Sequence, residues 1–361
     1  MDKAKRELTM AYLAGLYDGD GSFSLCKSCP IKAGSSSRYI PLIQMGNANR
    51  EILELIKLEY GGHICTQEAH TANDGHFRNT THTLKFTNGP VCLSFLRDVS
   101  PYLFIKKERA TFLMDYINKN PHMHTKLDAE TVLKRENAYI SMKLFNEKRD
   151  VSSKFSLRYS RKNSNDDVFW QYVAGIMDTD GSFSIRRDKR GYKSHVYSPI
   201  ILLSMIDSKA IQYIYNNCLY GTIFLVKAKA AQQGFCYRYS IHSKKQCIEF
   251  INKIIDHLFI KQEAARTLLA FCKGTAAVKH RRSGVPEDEL LFRDNCYTRL
   301  VELNKNGVSK LSLIDLKPVT GDADGNKGQA VNNVQPESNK RERLPEEVVC
   351  AIPNSVRKTE S

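Results

Sequence analysis

The chain has 361 residues, of which 42% are hydrophobic and 26% charged, enough for two ordinary domains with sizeable buried cores. It contains no run of about 20 apolar residues, which excludes a transmembrane helix and predicts no membrane partner. The formal net charge is +15, and the last 44 residues hold six Lys or Arg against seven Asp or Glu, so the positive charge belongs to the rest of the chain. A positive field of this kind favours binding of a polyanion such as nucleic acid.

The first half is predicted to fold as a helix, two strands, a helix, two strands and further helices. Apolar spacing predicts the first helix over about 5–17. Gly19 and Gly21 are expected to end it and to take unusual backbone angles. The remaining predicted elements are strands at 22–27 and 38–45 joined by a Ser- and Gly-rich loop, a helix at 50–60, strands at 63–67 and 81–87, and helices from 90, at 107–118 and at 128–148.

The second half is predicted to repeat this order after a polar linker at 151–167. Its predicted elements are a helix at 168–177 ended by Gly181, strands at 182–187 and 195–204, a helix at 208–218, strands at 222–227 and 235–242, and helices at 245–257, 262–272 and 286–306. We therefore divide the chain into a first repeat (1–125), a helical linker (126–167), a second repeat (168–275), a helical extension (276–317) and a disordered tail (318–361), which has few large apolar residues.

An internal duplication supports this division. Residues 13–21 read LAGLYDGDG and residues 173–181 read VAGIMDTDG, and both copies continue Ser-Phe-Ser. The sequence Leu-Phe-Ile-Lys ends at Lys106 and recurs 155 residues later, ending at Lys261. A third landmark agrees with these two: RENAY at 135–139 resembles RDNCY at 293–297. Nearly constant offsets predict two homologous halves with small differences in their loops.

The duplicated motif predicts a pair of matched acidic sites. The Ala-Gly pair in each copy allows two helix backbones to approach closely, which would bring Asp20 and Asp180 together near a pseudo-twofold axis. Two close carboxylates repel each other unless a cation lies between them, and Mg²⁺ prefers such oxygen ligands. The peptide carbonyls of Gly19 and Thr179 are further candidate ligands. Two metal-centred sites across a twofold axis suit cleavage of two antiparallel strands.

The motif also has an interpretation that involves no catalysis. An Asp-x-Asp-Gly sequence often forms a helix-to-strand turn without any chemistry, and we expect Asp18 and Asp178 to cap or orient these turns. A calcium-binding EF-hand is rejected, because Cys29 and Lys189 stand where its twelfth-position glutamate is required.

A structural zinc site is a weaker alternative. Cys26 and Cys29 have the spacing of zinc ligands, and His63 and Cys65 are candidates to complete a site. No second Cys-x-x-Cys follows, and Cys26 falls within a predicted strand. We expect the ten cysteines of the chain to stay reduced.

On these residues the chain resembles the LAGLIDADG homing endonucleases, specifically the single-chain, two-motif type encoded in group I introns. The resemblance covers roughly residues 5–275 and implies an α+β fold of two pseudo-symmetric αββαββα repeats. Each repeat would carry a four-stranded antiparallel DNA-binding sheet, and the two motif helices would pack together. The resemblance implies a monomer in which Asp20 and Asp180 bind Mg²⁺, with Mn²⁺ as a substitute, and activate water for phosphodiester hydrolysis. Both strands would be cut across the minor groove, leaving short 3′ overhangs.

Other family positions carry over to particular residues. Lys106 and Lys261 match the lysine that stabilises charge or positions water beside each site. Gln44 matches a polar residue at the end of the second strand. At the equivalent place the second half has Ser204, or Leu203 if the alignment shifts by one residue. This departure from the family pattern predicts that the two DNA strands are cut at unequal rates.

The alternation of strand faces identifies candidate DNA contacts. Phe23, Leu25, Phe183 and Ile185 should face the helices. Lys27, Arg38 and Arg187 lie near loops and are expected to contact phosphates. An ordinary solvated sheet would have a similar composition. The residues expected to face base edges are Ser22, Ser24, Cys26, Lys85, Ser182, Ser184, Arg186, Arg238 and Ser240.

Three functions remain open from the sequence. The chain is interpreted as a site-specific double-strand DNA endonuclease that spreads an intron, or as a maturase that binds its host intron RNA on the same fold. A non-cutting DNA-binding regulator is disfavoured, because both Asp20 and Asp180 are present. The first motif begins too early for a transit peptide, so we expect an intracellular protein made inside the mitochondrion or chloroplast in which it works.

Overall fold

The structure is a computed structural model that describes residues 8–28, 37–71, 77–121, 128–147, 161–190, 194–227, 235–275 and 285–306. The start of the first predicted helix, most of the 28–37 loop with Cys29, most of the 151–167 linker and the 318–361 tail lie outside these ranges. Within them, no helix is both long and apolar enough to cross a membrane.

The α+β fold and the predicted order of elements are confirmed. One short hairpin, β4–β5, was not predicted. In the first half the elements are α1 Met10–Gly19, β1 Gly21–Ser28, β2 Arg38–Asn47, α2 Arg50–Tyr60, β3 His63–Gln67, β4 His70–Thr71, β5 Phe77–Arg78, β6 Thr81–Phe86, α3 Gly89–Val99, α4 Lys107–Lys119 and α5 Ala129–Glu147.

The second half repeats this arrangement without the short hairpin among its described residues. Its elements are α6 Asp167–Thr179, β7 Gly181–Arg190, β8 Ser194–Met205, α7 Ser208–Asn217, β9 Thr222–Lys227, β10 Phe235–Ile241, α8 Lys244–Ile254, α9 Gln262–Gly274 and α10 Glu287–Asn306.

Capping residues explain where several helices begin and end. Helices α1, α2, α3, α6 and α7 each follow a Thr, Asn or Asp whose side-chain oxygen accepts a hydrogen bond from a backbone N–H of the first turn. At the other end of α2, Gly61 takes φ +79°, a left-handed conformation that glycine adopts without a steric penalty. Gly221, before β9, takes φ +73°.

Each half contains one four-stranded antiparallel sheet. The strand orders are β1-β2-β6-β3 and β7-β8-β10-β9, so the two sheets have equivalent topology. As predicted, Phe23 and Leu25 are buried on the helix side of the first sheet, and Phe183 and Ile185 are buried in the second. Helix α5 packs against β1 and β2, and α10 packs against β7. Each of these two helices therefore adds to the body of its own half.

The two halves meet along the motif helices α1 and α6. A Cβ atom on Gly15 would collide with the carbonyl oxygen of Tyr172 and lie 2.8 Å from the backbone nitrogen of Ile176. Gly175 has the same relation to Tyr12, and its Cβ would lie 2.8 Å from the backbone nitrogen of Leu16. The predicted close approach of the two helix backbones is present, and it brings their C-terminal ends together.

Candidate active site

Asp20 and Asp180 are the C-caps of the two motif helices. The backbone N–H of Asp20 donates to the carbonyl of Leu16 at 3.1 Å, and that of Asp180 donates to Ile176 at 3.1 Å. Both residues reach solvent, while the surrounding protein removes part of the hydration of their carboxylates. A Cβ atom on Gly19 would lie 3.2 Å from Oδ2 of Asp180, so the carboxylate of the second half lies against the motif of the first. The two predicted acids therefore converge at one place.

The electrostatics of the two acids are unequal. Loss of solvent contact raises the pKa of Asp20, and the charges of Lys261 and Lys106 and a hydrogen bond from Asn47 oppose that rise. Loss of solvent contact and then the charge of Asp20 raise the pKa of Asp180 to about 6, against the same two lysines. A bound cation would relieve the repulsion between the carboxylates, which is the property expected of residues that share a metal site.

Asn47 was not identified from the sequence. Its Nδ2 atom donates to Oδ2 of Asp20 at 3.4 Å, and its own Oδ1 accepts from the backbone N–H of Asn49 at 2.8 Å. It is the last residue of β2. A polar residue was expected near the end of the second strand, but that expectation was assigned to Gln44, three residues earlier.

The raised pKa of Asp180 predicts a cost in stability at neutral pH. Its carboxyl has a pKa of about 6 in the fold against 3.8 as the ordinary value, so folding disfavours the charged form. The cost is absent below pH 3.8, grows between pH 3.8 and 6 and is complete above that range. We expect Asp180→Asn to stabilise the metal-free protein at pH 8 by up to about 1 kcal/mol, since solvent screens the repulsion, and to have no such effect near pH 3.5.

Urea unfolding of the metal-free protein at pH 3.5 and pH 8 measures this effect. Asp115→Asn on α4, also an exposed aspartate, is the matched control for removing one negative charge from a basic protein. An Asp180→Asn protein that gains no more stability at pH 8 than the control would show that Asp180 carries no electrostatic cost.

Asp18 and Asp178 orient their turns, as predicted. The Asp18 carboxylate accepts the backbone N–H groups of the three residues ending at Lys106, at 2.8–3.1 Å. Asp178 does the same for the three residues ending at Lys261, at 2.8–3.0 Å. The hydroxyl of Tyr172 donates to Asp18 at 3.0 Å and that of Tyr12 donates to Asp178 at 2.8 Å, so each motif is also tied to the opposite helix.

Lys106 and Lys261 bind the ends of the motif helices. Nζ of Lys106 donates to the carbonyls of residues 17, 19 and 21 at 2.6–2.8 Å, and Nζ of Lys261 donates to those of residues 177, 179 and 181 at 2.6–3.1 Å. Each ammonium therefore uses its three protons and complements the negative end of a helix dipole. Burial lowers the pKa of Lys106 to about 8 and also lowers that of Lys261. The carbonyls of Gly19 and Thr179, predicted as metal ligands, thus already accept an ammonium proton.

Replacing Lys106 by Met should destabilise the protein, because three carbonyl groups at the end of α1 would lose a charged donor. We expect a loss of about 2–4 kcal/mol in the free energy of unfolding. Lys107→Met, which changes the neighbouring exposed lysine, is the matched control and should cost less than about 0.5 kcal/mol. Equal unfolding midpoints in urea for the two variants would contradict this structural role.

The glycines at the ends of the motif helices differ from expectation. Gly19, Gly21 and Gly181 do not take positive φ angles, so they are not required for unusual backbone angles. Glycine is needed at these positions because there is no room for a Cβ atom. A Cβ atom on Gly19 would lie 2.6 Å from Cβ of Thr179, one on Gly21 would lie 2.7 Å from the carbonyl oxygen of Tyr17, and one on Gly181 would lie 2.6 Å from that of Met177.

The sheet faces opposite the helices carry polar side chains, with half-buried apolar side chains between them. Gln44 on β2 stands between Ser22 and Lys85, and Arg238 on β10 stands opposite Ser204. Arg38 is exposed at the start of β2. The candidate DNA-contacting residues that are half-buried or exposed on these faces are Ser22, Ser24, Cys26, Lys85, Ser182, Ser184, Arg186 and Arg238.

Two residues expected to contact phosphates lie on the helix side of their sheets. Nζ of Lys27 forms an ion pair with Glu136 on α5 at 2.7 Å, and Arg187 forms one with Asp294 on α10 at 2.9 Å. Tyr39 also hydrogen-bonds Glu136, as Tyr197 does Asp294. The expected phosphate contacts are not supported at these two positions, because each cation joins its first strand to the last helix of its half.

Two further expectations for the second sheet are corrected. Ser240 is only 2% exposed, and its hydroxyl lies 3.2 Å from Nε2 of His242, so it is not presented to a ligand. The equivalent of Gln44 is neither Ser204 nor Leu203. Ser22 is opposite Gln44 and Ser182 is opposite Leu202, so an apolar side chain occupies that place in the second half.

The donor set suits a hard divalent cation better than zinc. Two converging carboxylates that repel each other supply the oxygen ligands that Mg²⁺ prefers. Among the residues that the structure describes, no three His, Cys, Asp or Glu side chains are grouped to hold a metal, which disfavours a zinc site at Cys26, His63 and Cys65. Cys29 lies outside the described residues.

Comparison with solved structures identifies the fold. Neither protein-family models nor curated protein sequences match the chain. The structure is similar to LAGLIDADG homing endonuclease I-GzeII in complex with its DNA target (TM-score 0.53, 15% identity, 83% of this chain and 98% of that one). It is also similar to I-LtrWI, another LAGLIDADG homing endonuclease bound to target DNA (0.57, 15%, 80% and 96%).

A third similar structure is I-SmaMI bound to uncleaved DNA in the presence of calcium ions (TM-score 0.57, 13% identity, 82% of this chain and 99% of that one). The chain therefore has the fold of the single-chain LAGLIDADG homing endonucleases over nearly their whole length. The resemblance identified from the sequence is confirmed at the level of the fold.

Proposed function

We propose that the chain is a site-specific double-strand DNA endonuclease that hydrolyses phosphodiester bonds with a divalent metal and spreads the intron that encodes it. The observation that carries this proposal is the convergence of Asp20 and Asp180 at the ends of two helices packed backbone to backbone. The net charge of +15 and the Ser, Gln, Lys and Arg side chains on the outward sheet faces support a DNA substrate. The DNA targets bound by the similar proteins support the same substrate, and the presence of calcium ions with one of them supports a divalent cation.

The residues of the chain would have the following roles in this reaction. Asp20 and Asp180 would hold Mg²⁺, or Mn²⁺ in its place, and such an ion lowers the pKa of bound water and stabilises charge on a phosphate. Asn47 orients the Asp20 carboxylate through its hydrogen bond. Lys106 and Lys261 keep both turns rigid and add positive charge beside the phosphates.

The two-sheet arrangement suits a duplex whose cut lies between the sheets. Because the pseudo-twofold axis passes between the motif helices, each acid would face one strand of antiparallel DNA, as double-strand cleavage requires. A single chain supplies both halves, so we propose a monomer. An intracellular, organellar location and synthesis inside that organelle are part of the same proposal.

Cleavage of the intron-less form of the host gene tests the proposal directly. The open reading frame's genomic position names the candidate target, and a plasmid carrying that intron-less allele is incubated with the protein and Mg²⁺. We expect linear plasmid with short 3′ overhangs, and no product when EDTA replaces the metal. If no intron-less allele is cut while the protein accelerates splicing of its intron RNA, the chain is a maturase and the endonuclease proposal fails.

A further inference from the structure

The outward faces of the two sheets differ in chemistry at equivalent positions. In the first sheet, one row of residues crosses all four strands just beyond Asp20, and its members are joined by strand pairing. Every side chain in this row has a hydrogen-bonding group. The row consists of Ser22, Gln44, Lys85 and His63.

The equivalent row of the second sheet is less polar. Leu202 stands in the place of Gln44, and Ser240 in the place of Lys85 is buried. Its hydrogen-bonding groups that remain accessible are therefore the two edge residues. The row consists of Ser182, Leu202, Ser240 and Thr222.

The difference continues along the edge strands β3 and β9, which are equivalent in the two sheets. On β3, Cys65 and Gln67 stand opposite Thr83 and Thr81. At the equivalent places on β9, Phe224 stands opposite Arg238 and Val226 opposite Cys236. The second sheet thus replaces a thiol and an amide by an aromatic and an aliphatic side chain.

These apolar side chains are not part of the core. Leu202, Phe224 and Val226 are half-buried, and they lie on the face opposite Tyr239 and Ile201, which are buried on the helix side. None of the three packs against the core cluster of the described residues. These three apolar positions lie on a face that also carries Arg238 and Arg186, and Arg238 and Ser240 on β10 stand between Leu202 and the two β9 residues.

We propose that these three apolar positions, Leu202, Phe224 and Val226, read thymine methyl groups in the half-site bound by the second half, while the polar row of the first sheet reads base edges through hydrogen bonds. The inference rests on the proposed function. In the major groove, the C5-methyl of thymine is the one base-edge feature that apolar side chains recognise. Neighbouring arginines favour a DNA ligand for this face over an apolar protein partner.

Replacing thymine by uracil in the target isolates this contact, because only the methyl group is removed. Burying one such group is worth a factor of about four in affinity. We expect each contacted thymine in the second half-site to lose about that factor on replacement. At the base pairs of the first half-site that face the polar row of the first sheet, the same replacement should change affinity less than about 1.5-fold, because hydrogen bonds there do not involve the methyl.

The experiment selects bound duplexes from a randomised library and then measures affinity with each half-site uracil-substituted. The full chain carrying Asp20→Asn and Asp180→Asn is used throughout, so that bound DNA stays intact. A Lys85→Ala variant assigns the half-sites, since it changes base preference only in the half-site of the first sheet.

A triple variant of the apolar positions and one control variant complete the design. A triple variant, Leu202→Gln, Phe224→Cys and Val226→Gln, gives the second sheet the residues of the first and should abolish the uracil effect. Leu225→Gln is the matched control, because Leu225 is 38% exposed on the same strand but pairs with Tyr237 on the helix side. It should leave the uracil effect unchanged.

Several outcomes contradict the inference. Equal uracil effects in both half-sites, an unchanged effect in the triple variant, or a selected second half-site without thymine would each overturn methyl recognition while leaving the endonuclease proposal intact. Failure to select any duplex would contradict the proposed function, and the inference would fall with it.

Discussion

Asp20→Asn and Asp180→Asn are each expected to abolish linearisation of the target plasmid. The rate of double-strand cleavage should fall by about 10²–10⁴-fold or more, because each change removes one of the two converging carboxylates that we propose to hold the metal. The fold should survive, since both carboxylates are exposed. Single-turnover cleavage assays in Mg²⁺ measure the effect.

Two controls make this result specific. Asp115→Asn removes an exposed aspartate of α4 and should cut at the rate of the unaltered protein. Binding of the target duplex by the two site variants, measured by gel shift, should remain within a few-fold of normal. If either site variant linearises the plasmid at the normal rate, that acid has no part in the chemistry.

Gly15→Ala and Gly175→Ala should be the most destabilising single substitutions at the interface of the halves. Either Cβ atom would collide with a backbone carbonyl of the opposite helix, which cannot rotate away as a side chain could. Overpacking of this kind costs about 1–3 kcal/mol and more where backbone must move, so we expect losses at or above about 3 kcal/mol. Separating the helices also separates Asp20 from Asp180, so cleavage should fall as well.

Gly46→Ala is the matched control for this prediction. Its Cβ would lie 3.8 Å from Oγ1 of Thr83, an ordinary contact, so stability should change by less than about 1 kcal/mol. Urea unfolding compares the three variants. Unchanged stability in Gly15→Ala would mean that the two helices are not packed backbone to backbone.

Local sequence patterns account for most of the fold. Helix α2 and strands β3 and β9 have the predicted bounds, because their apolar periodicity and their Asn or Gly boundaries are local properties. The β4–β5 hairpin escaped prediction because strands of two residues are too short to show alternation. The pairing of the motif helices was predictable from the repeated Ala-Gly pair.

The contacts of individual site residues were less predictable. Strand alternation places Lys27 on the same face as Phe23 and Leu25, but its partner Glu136 lies 109 residues later, and no local pattern reveals so distant an ion pair. The equivalent of Gln44 was misjudged because equal spacing does not fix strand register, which pairing determines as Leu202. Lys106 was identified from the sequence as a residue beside the acids, but its bonds to three backbone carbonyls depend on long-range packing that the sequence does not show.

Anomalous diffraction from crystals grown with target DNA and Mn²⁺ tests the central claim most directly. The account predicts anomalous peaks for Mn²⁺ within ligand distance of both Asp20 and Asp180, where the two motif helices end. Anomalous peaks elsewhere on the protein, with none within reach of either carboxylate, would contradict a metal site shared by the two halves.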